Sequence, residues 1–327
     1  MYKLSEVKKI HLELTSKCQA SCPMCPRNVQ GGMPNPYLVE EEITLAQFKE
    51  WFSPDFIKQL SILFMCGNLG DAIVAKDTLA IFQYLREQNN NIYLELHTNG
   101  SAKTKDWWLE LAKQKVVVTF GIDGLEDTHS LYRVGTSWTK VIENAKTFID
   151  AGGVARWHML IFDHNKHQVE ACEKLSTELG FKEFKAKNSA RFKGDNGLTV
   201  LTKKGTVSHV IWPTDRSKEI RKNVDQNISG TTTITCQAKQ ESSLYIGADG
   251  NVTPCCWLDM TAGDPSYSYI VDYANKMGTT PNLKLNTLEE IFESGYFNKI
   301  EELMGYNPLI RCTVQCGKFS PTSEQFK

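Results

Sequence analysis

Excess charge of either sign is missing from this 327-residue chain: 37 Lys and Arg stand against 38 Asp and Glu, for a formal net charge of −1. A balance this close argues against a general polyanion-binding surface, and no strong nucleic-acid signal is present, although a local basic groove stays open. The first residues, "MYKLSEVKKI", lack the apolar core of a secretory signal. No apolar run approaches the roughly 20 residues that cross a bilayer. Internal repeats and low-complexity tracts are also missing. These absences predict a protein without membrane attachment, working in the cytoplasm. A composition of 41% hydrophobic and 23% charged residues predicts one large globular domain, or a large one with a small companion.

What is present in unusual number is cysteine. The ten thiols stand at 18, 22, 25, 66, 172, 236, 255, 256, 312 and 316. In a reducing compartment disulfides do not persist, so clustered thiols point to metal or redox work. Three fall in "CQASCPMC" and five lie beyond residue 235, which predicts two separate metal sites. Cys66 and Cys172 sit in apolar segments, where a free thiol is by default a small buried hydrophobe.

Between residues 7 and 187 short β-rich runs alternate with helical stretches. The strands are "VKKIHLEL" (7–14), "SILFMC" (61–66), "IYLELHT" (92–98), "KVVVTFGI" (115–122), "RWHMLIF" (156–162) and "FKEFKAK" (181–187). Helical stretches intervene at 44–60, 76–88, 104–114, 138–152 and 165–180. Parallel strands need crossover helices, so the alternation predicts an α/β fold with a parallel sheet, either open or closed into a barrel. Residues 188–235 are polar and weakly periodic and read as a long functional loop over the mouth of that sheet. "SSLYIGADGNVTPCC" (242–256) predicts a hairpin turning at Asp249-Gly250. "NTLEEIFESGYFNKIEELM" (286–304) predicts one helix with Asn286 as N-cap and Glu289 in the capping box.

Structural zinc wants four protein ligands, whereas Cys18, Cys22 and Cys25 are three, with no fourth Cys or His close behind. A 4Fe–4S cubane held by three thiolates keeps one iron open for a substrate or cofactor. C-x3-C-x2-C directly after the first strand of a strand–helix chain resembles the radical S-adenosylmethionine (SAM) superfamily. The resemblance covers about residues 7–187 and implies a partial (β/α)6 TIM-like barrel in which SAM chelates the open iron. It also implies reductive cleavage of SAM to a 5′-deoxyadenosyl radical that takes hydrogen from a substrate.

Further motifs carry the same resemblance. "CGNLGD" (66–71) stands where the family has a Gly-Gly-Glu-Pro-type motif, which implies that Gly67, Asn68, Gly70 and Asp71 approach the SAM amino group. "HTNG" (97–100) is similar to the family's Thr-Asn-Gly and brings in Asn99. "GIDGLEDTHSLYRVG" (121–135) resembles its Ser-Ile-Asp-Gly…Arg-Gly segment, implying Asp123 near the ribose and Arg133 at the SAM carboxylate, with Gly121 replacing the serine. Asn165, at the fifth strand's end, is a further implied SAM neighbour.

Cys236, then Gly250-x4-Cys255, then Cys312-x3-Cys316, resembles the cysteine pattern of the family's SPASM domain. Five thiols fit its shortened form, Twitch, with one auxiliary 4Fe–4S cluster on Cys236, Cys255, Cys312 and Cys316. A zinc site on the same four thiolates remains open. The domain bounds implied are 1–200 for the barrel, 201–235 for a bridging segment and 236–327 for a small β-hairpin/helix auxiliary domain. Expected partners are a peptide or small-molecule substrate and an external electron donor such as flavodoxin or ferredoxin. The first strand begins by residue 7, so no fused peptide-recognition domain is expected ahead of it. Arg191, Lys193 and Asp195 are candidates to face substrate. A rival reading from another class is a non-catalytic iron–sulfur or zinc module.

Overall fold

The computed structural model of the chain describes residues 1–192, 196–229, 233–259, 280–306 and 309–318. Of the substrate-facing candidates, Lys193 and Asp195 lie outside these residues. The fold is α/β. Its strands β1 (Lys9–Leu12), β2 (Ile62–Met65), β3 (Tyr93–Thr98), β4 (Val117–Gly121), β5 (Val154–Ile161) and β6 (Glu183–Asn188) are the six expected from the sequence. Two more, β9 (Ser243–Ile246) and β10 (Val252–Thr253), complete a mostly parallel sheet of order β10-β9-β1-β2-β3-β4-β5-β6. A separate antiparallel pair is β7 (Leu198–Leu201) with β8 (Val207–Ile211).

The chain forms two compact units. One holds residues 1–17, 39–94 and the described residues from 227 onward; the other holds 18–38 and the described residues from 95 to 226. In the first, β9 runs parallel to β1, pairing Lys9 with Ser243 and Leu12 with Ile246, while β10 folds back on β9. The turn between them is the predicted one, with Gly250 at φ +90°, a conformation glycine adopts without Cβ strain. Sandwiched between two strands, β9 is buried at every residue. Helices α1 (Leu45–Trp51), α2 (Pro54–Gln59) and α3 (Thr78–Gln88) belong to the same unit. The expected single stretch at 44–60 is divided because Ser53 caps a new helix that Pro54 opens.

In the second unit helices α4 (Lys105–Lys113), α5 (His129–Tyr132), α6 (Trp138–Asp150) and α7 (Val169–Glu178) alternate with β4–β6. Helix α6 shows why these segments fold: Ser137 caps its first turn, and Val141, Ala145 and Phe148 repeat at helical spacing and are fully buried. Along β5, Ala155, Trp157 and Met159 are buried while Arg156 and His158 on the other face are not.

Two expectations need correction. The stretch read as a loop contains the β7–β8 hairpin and a fifteen-residue helix, α8 (Asp215–Ser229). Its apolar stripe is narrow, carried by Ile220 and Val224 beneath a highly charged sequence, so periodicity hides it. The C-terminal helix is not continuous either. After α9 (Gln237–Gln240) come α10 (Leu288–Glu293), α11 (Tyr296–Tyr306) and α12 (Ile310–Cys316), with Gly295 at φ +81° breaking the first from the second. The cap is Thr287 with Glu290, one residue beyond Asn286 and Glu289. Among the described residues no helix is long and apolar enough to cross a membrane.

Candidate active site

The three-cysteine loop belongs to the second unit. Cys18, Cys22 and Cys25 are each half-buried. A turn from Cys22 O to Cys25 N, 2.9 Å, sets two of them close together. Cys18 Sγ accepts the backbone N–H of Ala20 at 3.4 Å and the Asn99 amide at 3.6 Å. Asn99 is held for that task by Gln19, whose amide reaches its oxygen at 2.6 Å. Donors aimed at sulfur favour the thiolate, the form that ligates metal. Burial pushes the Cys22 thiol up to about 11, while the Arg133 cation pulls it back.

Arg133 is the centre of a second group. Its Nε donates to Asp123 Oδ2 at 2.6 Å, and Leu160 N–H donates to Asp123 Oδ1 at 2.6 Å. Asp123 is fully buried, so both its oxygens are occupied within the protein. Its own N–H donates to His129 Nδ1 at 3.1 Å, which places the histidine proton on Nε2, opposite Thr136 Oγ1 at 3.0 Å. Burial lowers His129 to about 4, and the ring is neutral near pH 7. Asn165, also fully buried, donates to Asp123 O and Leu160 O and accepts from Phe162 N, so its amide ties the ends of β4 and β5 together. A Cβ on Gly121 would fall on the Arg133 guanidinium. The place of the serine expected there is thus filled by arginine.

The β7–β8 hairpin covers the cysteine loop. Val200 and Ile211 pack with Tyr132, Phe162 and Phe192 against Cys22 and Met24. Leu201 N bonds Gln30 O at 2.9 Å, and Arg191 Nη1 reaches Met24 O at 3.3 Å. Arg191 therefore serves the cysteine loop.

One face of β3–β6 is polar. His97, Thr119, Arg156 and Glu183 stand in register across the four strands. Arg156 pairs with Glu95 at 3.1 Å, His97 with Glu95 at 3.0 Å, and His158 with Glu183 at 3.4 Å. Thr119 is buried and its hydroxyl has no partner among the described residues. Parallel strands are normally apolar on both faces, and this face departs from that pattern.

In the first unit, Gly67, Asn68, Gly70 and Asp71 form the loop after β2. Asp71 caps a short turn by accepting from Ile73 N at 3.2 Å. A Cβ on Gly70 would fall on the Thr15 carbonyl, so only glycine fits. Glu13, absent from every motif, holds this loop by its backbone N–H groups. Its signal in the sequence is an acid set between two leucines, Leu12 and Leu14, at the end of the first strand.

The same unit holds the C-terminal thiols. Cys236 precedes α9, Cys255 opens the turn Cys256–Leu258, and Cys312 and Cys316 lie one helical turn apart on α12. Burial pushes Cys312 up to about 12, and the charges of Cys316 and Cys236 add to it. Cys255 is raised by burial, then by Cys256, Cys312 and Cys316. The four expected ligands thus share one electrostatic neighbourhood. Among the described residues no three His, Cys, Asp or Glu side chains already converge on one metal position. Donor type fits iron–sulfur ligation at both ends, with three thiols in one loop and, at the other, one before α9, one at the Cys256–Leu258 turn and two on α12.

Residues 12–175 match the family model of the radical SAM superfamily, and residues 236–317 match that of the SPASM iron–sulfur cluster-binding domain. Among solved structures, the chain is similar to anSMEcpe with bound AdoMet, at TM-score 0.59 and 16% identity over 95% of this chain and 86% of that one. It is also similar to SuiB of Streptococcus suis bound to S-adenosylmethionine, at TM-score 0.60 and 13% identity over 99% and 76%. SuiB bound to its precursor peptide SuiA gives TM-score 0.58 and 12% identity over 89% and 65%. At these identities the likeness is one of fold. No curated protein matches the chain in sequence.

Proposed function

The chain belongs to the radical SAM superfamily and is an enzyme whose cofactors are SAM and 4Fe–4S clusters, and from that premise we propose a division of labour among its residues. Cys18, Cys22 and Cys25 hold the cluster that leaves one iron for SAM; when bound, that pair supplies a 5′-deoxyadenosyl radical able to abstract hydrogen. The Arg133 guanidinium binds the SAM carboxylate through charge-assisted hydrogen bonds, with Asp123 orienting it. The Gly67–Asp71 loop faces the amino group, and Asn99 fixes the Cys18 sulfur. Asp123 and Asn165, whose polar atoms are already engaged, act by shaping the site. Cys236, Cys255, Cys312 and Cys316 hold an auxiliary cluster of the shortened Twitch kind that moves electrons, and the hairpin lid keeps water from the cysteine loop. An external donor such as flavodoxin or ferredoxin supplies the reductant.

The substrate is a peptide or small molecule with polar or charged groups. The observation that carries this reading is the polar face of β3–β6, where Arg156 lies between Glu95 and Glu183 beside His97 and His158. The neighbour SuiB, solved with a precursor peptide, supports the peptide branch. Domain limits of 1–200, 201–235 and 236–327 go with this assignment. Anaerobic iron loading tests it: about eight irons per chain are expected for two cubanes, with 5′-deoxyadenosine released on reduction with SAM. Protein that takes up zinc alone and releases no 5′-deoxyadenosine would leave only a non-catalytic module.

A further inference from the structure

Glu13 is 2% exposed and has both carboxylate oxygens occupied. One accepts the backbone N–H groups of Leu69 at 2.6 Å and Gly70 at 2.8 Å. The other accepts the Tyr245 hydroxyl at 2.5 Å. Tyr245 is fully buried on β9, and its hydroxyl also accepts the Asn68 amide at 3.3 Å. That amide donates in addition to the Cys256 carbonyl at 2.8 Å. The ring is fixed from the side by His11, edge-on at 4.9 Å. Gly67 admits the carboxylate, because a Cβ there would stand 2.6 Å from Glu13 Oε1.

A carboxylate so fully engaged cannot also bind a ligand; its work is to hold the loop. Burial pushes the Glu13 carboxyl up, and the Tyr245 hydroxyl and the loop N–H groups pull it back. Removing the phenol hydroxyl would leave one buried oxygen without its donor, a loss larger than that of a solvent-exposed hydrogen bond.

We propose that Glu13, Tyr245 and Asn68 are positioning residues forming a strap, through which the C-terminal hairpin sets the shape of the Gly67–Asp71 loop and with it the affinity for SAM. The strap rests on the reading that this loop faces SAM. It gives the hairpin a role separate from electron transfer: a phenol from beside the auxiliary cysteines completes the cofactor site. Such a link is reciprocal in binding free energy, so SAM would also order the Cys256 turn.

The test is equilibrium SAM binding, by calorimetry, to anaerobically reconstituted full-length wild type, Tyr245→Phe, Glu13→Gln and the double variant. Each single change is expected to weaken binding roughly five- to tenfold, below the full loss of one hydrogen bond to a charged group because it reaches SAM only through the loop. Because both act through one contact, the double variant should be no weaker than the poorer single one. Iron content and melting midpoint identify an unfolded variant; should Tyr245→Phe lose its iron, Asn68→Ala carries the same expectation. Unchanged affinity in Tyr245→Phe, or multiplicative losses in the double variant, overturns the strap. Wild-type protein that loads iron but binds no SAM would overturn the functional reading itself.

Discussion

The two thiol regions differ in the number of sulfurs they offer and in what charge stands beside them. Cys18, Cys22 and Cys25 sit on a loop, half-buried, with N–H donors at Cys18 and a guanidinium near Cys22. Cys236 and Cys255 come from two separate turns and Cys312 and Cys316 from one helix; Cys312 is buried and the other three are half-buried. Burial together with neighbouring thiols raises Cys236, Cys255 and Cys312. The first arrangement keeps a cationic side open beside the sulfurs, suited to an anionic cofactor group. The second offers four thiols rather than three and suits a closed group that gains and loses electrons without exchanging ligands. Hydrogen bonding, burial and net charge are the levers that set iron–sulfur potentials, and the two regions use them differently.

Breaking one region at a time should give the largest effect. Cys22→Ala is expected to lose about four of eight irons and to cut 5′-deoxyadenosine formation by at least ~100-fold. Cys312→Ala should lose a similar share of iron but still cleave SAM, without completing substrate turnover. Iron analysis beside product chromatography reads both, and a Cys312→Ala protein with full iron would end the proposed ligand set. A smaller effect is expected from Gly121→Ser, which sharpens the open side of the comparison. Its side chain would compete with the Arg133 guanidinium for one space. SAM binding should weaken about tenfold, the scale of one charge-assisted hydrogen bond, with iron unchanged.

The mildest expectation concerns acid. Burial holds both His129 and His158, in the second unit, at about 4, below the ordinary 6.5. On acidification the unfolded chain takes up these protons first, so the stability they contribute is full above pH 6.5 and is lost as pH falls toward 4. For a group shifted this far the loss between pH 7 and 5.5 is about 1 kcal/mol, less for the partly exposed His158. Amide protection factors, corrected for the intrinsic pH dependence of exchange, should fall more between pH 7 and 5.5 in β4–β6 than in β1 and β9. An equal fall in both units would count against it.

Much of the fold was legible because strand–helix alternation and the cysteine spacing are local. A strand's period and a turn at Asp249-Gly250 follow from neighbours in the chain, and they formed where expected. Helix α8 was hidden because its charged residues mask a stripe of only Ile220 and Val224. Glu13 was hidden because nothing near it in sequence shows that Leu69 and Gly70 will offer their N–H groups.

From residues alone came the three-thiol loop after the first strand, the motifs at the strand ends and the thiols beyond residue 235. These are decided locally, since ligand type and spacing set what a loop can bind. Only the tertiary structure put β9 beside β1, drew Tyr245 onto Glu13, laid the β7–β8 hairpin on Cys22 and filled the space at Gly121 with Arg133. All but the last join residues far apart in the chain, and the last joins a strand end to a helix end. Such contacts are chosen by burial and by the cost of an unpaired polar group, which only the packed chain can resolve.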